Sequence, residues 1–167
     1  MKHSTRKLVI SALFAAIVCV LTVTVRVPSP LGGYLNLGDC AVLLCGWLLS
    51  PWLGFLAAGL GSALADVASG YLIYAPATLL IKGAMALVAC LIFGSMSKHA
   101  KPFPARLLGG LLAELWMVLG YWIFEGVLYG FLPSAVNIPA NLIQGGVGLT
   151  LGLILISAIK KYKLFRE

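Results

Sequence analysis

Residues 37–69 read LGDCAVLLCGWLLSPWLGFLAAGLGSALADVAS, and the fold turns on whether they form one helix or two. Each half is short for a membrane crossing, which takes about 20 apolar residues. A single helix would give five spans and would place Lys98, Lys101 and Arg106 on the outer side. Dividing the stretch at Ser50-Pro51 gives six spans. The N-terminal cluster (Lys2, Arg6, Lys7), that middle cluster and the tail (Lys160, Lys161, Lys163, Arg166) then share one side, so ten of the twelve basic residues obey the positive-inside rule. Proline also suits the first turn of a helix better than its interior. The sequence therefore predicts an all-α membrane protein. It is one six-helix domain over 1–167, with both termini cytoplasmic and spans at about 8–26, 37–50, 52–69, 76–97, 105–129 and 137–159.

The rest of the composition agrees. Hydrophobic residues make up 61% of the chain and charged ones 10%, which excludes an ordinary soluble domain. Six spans leave no room among 167 residues for a separate catalytic or nucleotide-binding domain. The net charge of +7 is distributed as topogenic clusters between apolar runs, so it does not indicate nucleic acid. The run 8–25 after MKHSTRK is long for a signal-peptide core and is expected to be a retained first helix. Cys19, Cys40, Cys45 and Cys90 have neither metal-ligand spacing nor a CxxC pair, and no metal site is expected. Walker A, HExxH and GxSxG patterns are absent and no His lies in a span, so no enzyme is expected. Any use of ATP has to come from another subunit.

Ionisable groups near the outer ends of spans are candidates for function, because lipid penalises them unless they face protein or water. Lys82 stands six residues past Pro76, Glu125 five before Gly130 and Gln144 seven past Asn137. At 1.5 Å per residue all three lie about 8–10 Å below the outer helix ends. Asn137, Asn141 and Gln144 form one polar stripe at i, i+4 and i+7, Trp122, Glu125 and Tyr129 another at i, i+3 and i+7, and Thr78 shares a face with Lys82. Aromatic faces beside amide, carboxylate and ammonium groups suit a flat heteroaromatic ligand with a polar rim. The competing reading is a buried Lys82–Glu125 ion pair. Asp39 is expected to cap a helix, and Asp66 to pair with Arg26 at the outer rim. Tyr34 and Tyr74, in Gly- or Pro-bearing connections, are read equally as lid residues or as part of an interfacial belt that includes Tyr71. Glu114 falls near mid-membrane, either as a proton-coupling group or as a protonated or hydrogen-bonded carboxyl. Small residues recur at Ala12 and Ala16 in the first span, and at Gly54, Ala58, Ser62 and Ala57, Gly61, Ala65 in the third, where they are expected to serve internal packing.

The segments GGYLNLGD (32–39), LLSPWLGFLAAGLGSALADVASGY (48–71), YAPATLLIKG (74–83) and NIPANLIQGGVG (137–148) resemble the substrate-binding S components of energy-coupling factor (ECF) transporters, in particular the riboflavin-type branch. The resemblance implies a multi-pass protein of the bacterial cytoplasmic membrane that captures a vitamin-like molecule at the outer face. Riboflavin, a pyridoxine-like compound, a thiamine pyrimidine precursor and a queuosine precursor are all open. It implies further that a T component and two ATPase subunits are partners, with ATP used by those partners and no cofactor in this chain. Ala12 and Ala16 match the family's docking motif for the T component, and Lys82, Glu125, Asn141 and Gln144 match positions where this branch tends to be polar. The alternatives are a stand-alone proton-coupled carrier using Glu114 or Glu125, and a membrane scaffold.

Overall fold

The computed structural model describes residues 2–161, with side chains from 5 to 159. Lys163 and Arg166 of the tail cluster, and the side chains of Lys2, Lys160 and Lys161, lie outside the described residues. The chain runs α1 (Lys2–Thr24), β1 (Arg26–Pro28), β2 (Tyr34–Asn36), α2 (Gly38–Leu48), α3 (Pro51–Ala68), α4 (Ala75–Met96), α5 (Pro102–Tyr129), α6 (Phe131–Ser134), a 3-10 turn (Ala135–Asn137) and α7 (Ile138–Lys161). Pro51, Pro76 and Pro102 each sit in the first turn of a helix, where a missing N–H costs nothing. The break at Ser50-Pro51 is real: Leu49 is extended at φ −103° and ψ 166°, and α3 starts at Pro51.

Five helices are long and apolar enough to cross a membrane. The sixth, α2, has 11 residues, which at 1.5 Å each span only about 16 Å. It is short because the chain ahead of it dips inward. Residues 26–36, read from the sequence only as a Gly- and Pro-bearing connection, form an antiparallel hairpin (Arg26 opposite Asn36, Pro28 opposite Tyr34). Gly33 at φ +73° makes its turn, and a Cβ there would stand 3.2 Å from the Tyr74 ring.

Almost all of α2 is buried, from Gly38 to Trp47, and it touches each of the five long helices. Small residues permit this closeness. A Cβ added at Gly54 of α3 would stand 3.0 Å from the Cys45 carbonyl, one at Gly59 would stand 2.6 Å from the Leu79 carbonyl of α4, and one at Gly61 would collide with the Ala15 carbonyl of α1. The third-span stripes therefore pack inward. On α1 the division is sharp: Phe14 and Val18 face the core, whereas Ala12 and Ala16 lie on the exposed face with Leu8, Leu13 and Val20.

Candidate functional site

The hairpin and the ends of α3, α4, α5 and α7 surround a cavity of about 440 Å³, its open mouth included. Asp39, one residue into α2, is fully buried outside the cavity lining and holds two of its side chains, Lys82 and Gln144. Its Oδ1 is ion-paired with the ammonium of Lys82 from α4, and its Oδ2 accepts a 2.6 Å hydrogen bond from the Gln144 amide of α7. Gln144 accepts in turn from the Asn36 backbone N–H at 2.9 Å, and the Asn36 side chain accepts from the Gly38 N–H at 2.8 Å. Asp39 therefore does not cap a helix; Asn36 takes the free N–H at the start of α2. The competing Lys82–Glu125 pair does not form either, because Lys82 turns to α2.

Glu125 closes another side. It accepts from the Asn137 amide at 2.9 Å and from the Tyr74 hydroxyl at 3.4 Å. Asn137 also accepts from the Leu31 N–H at 3.2 Å, which ties the hairpin to the 3-10 turn ahead of α7. Asp66 of α3 accepts from the Tyr34 hydroxyl at 2.7 Å, while Arg26 lies exposed on β1 and leaves the expected Arg26–Asp66 pair unmade. Burial first, and then the Asp66 carboxylate, raise the Tyr34 phenol pKa, so Tyr34 stays protonated and donates. The second oxygen of Asp66 is buried without a hydrogen-bond partner among the described residues.

Of the residues singled out from the sequence, Tyr34, Tyr74, Lys82, Glu125, Asn141 and Gln144 line the cavity. Trp122 and Tyr129 do not. The Trp122 indole donates to the Phe131 carbonyl at 3.1 Å, and Tyr129 stands behind the wall, its hydroxyl 3.5 Å from where a Gly32 Cβ would be. Tyr121 takes the place given to Trp122. Its ring centroid is 5.4 Å from the Lys82 ammonium, and its hydroxyl is 3.1 Å from that of Thr78. The spacing Tyr121–Glu125, i and i+4, was the available signal. Tyr71 packs between Tyr34 and Tyr74, with centroids at 4.8 and 6.2 Å, and so thickens the mouth.

Glu114 lies apart from the lining. It is 4% exposed on α5, pressed against Gly145 and Gly148 of α7, and neither carboxyl oxygen has a partner among the described residues.

A family model described as "ECF-type riboflavin transporter, S component" matches residues 2–161. The chain is similar to an "Uncharacterized protein in gap 3'region" of Pyrococcus woesei, 39% identical over 136 residues and covering 81% of this chain and 88% of that one. It is also similar to the "Thiamine precursor transporter HmpT" of Lactococcus lactis subsp. cremoris (strain MG1363), 26% identical over 158 residues, covering 93% and 89%. Its fold matches that of a solved structure described as "Structure and mechanism of the S component of a bacterial ECF transporter". The TM-score is 0.77 and the identity 22%, over 98% of this chain and 99% of that one.

Proposed function

The chain belongs to the ECF-type riboflavin transporter S-component family, a multi-pass membrane protein and substrate-binding transporter subunit, and from that premise we propose what it binds and how it works. It captures a compact, uncharged or cationic heteroaromatic molecule at the outer face of the cytoplasmic membrane. It hands that molecule inward together with a T component and two ATPase subunits, which supply the ATP chemistry.

The observation that carries this reading is the charge balance of the cavity. Lys82 is spent on Asp39, so among the described residues the carboxyl groups of Asp66 and Glu125 have no cation of their own. A ligand that donates N–H or O–H groups to them is favoured, and an anionic one is repelled. Tyr34, Tyr74 and Tyr121 offer ring faces, and the amides of Asn141 and Gln144 can read a polar rim. An aminopyrimidine of the thiamine-precursor class or a pyridoxine-like ring meets these terms. The printed name of the Lactococcus relative lends weight to the first.

Mass spectrometry of small molecules that co-purify with the protein tests the class directly; only anionic compounds, or none at any loading, would sink it. Gln144→Leu supplies a site test. The leucine is close in size but cannot pair with a buried ligand group, and should cost about 1–3 kcal/mol of binding. That is a loss of roughly ten- to hundredfold in affinity by calorimetry. An affinity within twofold of wild type, in a folded protein, puts the site elsewhere.

One observation favours the proton-coupled carrier, namely the partnerless Glu114. A buried carboxylate without donors is costly in its charged form, and a neutral amide is less so. Glu114→Gln should therefore unfold no earlier than wild type and keep both ligand affinity and uptake. Abolished uptake with intact binding would restore the carrier reading.

A further inference from the structure

The opposite end of the bundle holds a cation with no counter-ion among the described residues. Arg106, in the second turn of α5, is 6% exposed, and its guanidinium carbon stands 4.4 Å from the ring centroid of Phe93 on α4. Stacking fixes the plane of the guanidinium and leaves its edge, where the N–H donors are, available. No hydrogen bond or ion pair takes those donors among the described residues, and Nε is buried without a partner. The described carboxylates are elsewhere. Asp39, Asp66 and Glu125 belong to the cavity network. Glu114 is eight residues further along α5, about 12 Å deeper. Arginine cannot shed its charge, and no described residue satisfies it, which leaves its donors open to an external anion.

A second feature points the same way. The α5 N-terminus has no side-chain cap at Lys101 and no acidic residue in its first turn. Pro102 and Pro104 carry no N–H and that of Ala105 is bonded to the Lys101 carbonyl at 3.3 Å, so what this end offers an anion is its positive dipole. Helical side chains lean toward the N-terminus, so Arg106 leans toward this same end. Lys98 and Lys101 are exposed beside it. The flanks are apolar: Leu91, Phe103, Leu107 and Leu111 are all exposed. A free phosphate has no use for such a rim, whereas acyl chains do.

We propose that this corner binds the phosphate of an anionic lipid headgroup. Arg106 supplies the two-pronged contact, and the α5 N-terminus with Lys98 and Lys101 supplies the surrounding positive field. The lipid tails lie along Leu107, Leu111 and Leu91. The site sits on the side carrying the basic clusters, which assigns it to the cytoplasmic leaflet.

The test uses the purified full chain in detergent, titrated separately with phosphatidylglycerol, phosphatidylcholine and inorganic phosphate. Thermal unfolding and native mass spectrometry of retained lipid are the readouts. Phosphatidylglycerol should raise the unfolding midpoint by about 2–4 °C and remain bound. Arg106→Gln should weaken its binding about tenfold, and Arg106→Lys should fall between, since it keeps the charge but loses the fork. If Arg106→Gln does not fold, Phe93→Leu replaces it, because it removes the stacking surface and keeps the charge; weaker phosphatidylglycerol binding is again expected. Equal retention by wild type and these variants overturns the proposal, as does equal stabilisation by phosphatidylcholine. A shift reproduced by inorganic phosphate alone makes the occupant a free anion and also overturns it.

Discussion

Lys82→Met is expected to lower the stability of the unliganded protein by about 3–5 kcal/mol, the usual cost of breaking a buried ion pair from one side. Asp39 is fully buried. Without Lys82 its charge would rest on one hydrogen bond, from Gln144. Thermal unfolding in detergent should show a drop on the order of 10 °C. Adding Asp39→Asn to the same chain should recover most of that drop, because an amide can still accept from Gln144 and leaves no unpaired charge. A single variant as stable as wild type, or a double variant no better than the single, would mean that the pair does not hold the cavity lining. The same double variant has a functional reading. If Lys82 and Asp39 only brace α2 against α4, ligand affinity returns with stability; if either touches the ligand, it does not.

The helix boundaries were legible because the chain marks them chemically: prolines open α3, α4 and α5, and Gly130 with φ +93° closes α5. The hairpin over 26–36 was not. Its strands have three residues each, too few to display a period of two. That hairpin also explains the length of α2, since chain spent lining the cavity is not available to cross the bilayer.

At the site, helix rise placed Lys82, Glu125 and Gln144 at one depth, and all three line one cavity. Depth, however, does not give direction around the bundle. The approach of α2 to α4, where Gly46 faces the Ala86 carbonyl, puts Asp39 and not Glu125 within reach of Lys82. One position along a helix is a rotation of about 100°, which is the whole difference between Tyr121 in the wall and Trp122 outside it. The sequence marked both residues as aromatic at the right level; only the packing of α5 on α4 selects one.

The contrast between the two faces of α1 sets up the largest expected effect on transport. Gly61 of α3 reaches the Ala15 carbonyl from within, so even a methyl group there, as in Gly61→Ala, would force α1 and α3 apart. Ala12 and Ala16 are on the other face and exposed, a small-xxx-small surface open among the described residues. If that surface is where a T component docks, Ala16→Trp should reduce ATP-driven uptake in a reconstituted system to background, because a large side chain holds the partner helix away. Ligand affinity and unfolding temperature of the isolated subunit should stay at wild-type values, since Ala16 is exposed and no α1 residue lines the cavity. Gly61→Ala is the opposite control, expected to lose stability and binding together. Uptake by Ala16→Trp at the wild-type rate would refute docking through this face. Joint loss of folding and binding in Ala16→Trp would make the stripe part of the bundle's own packing, against its observed exposure.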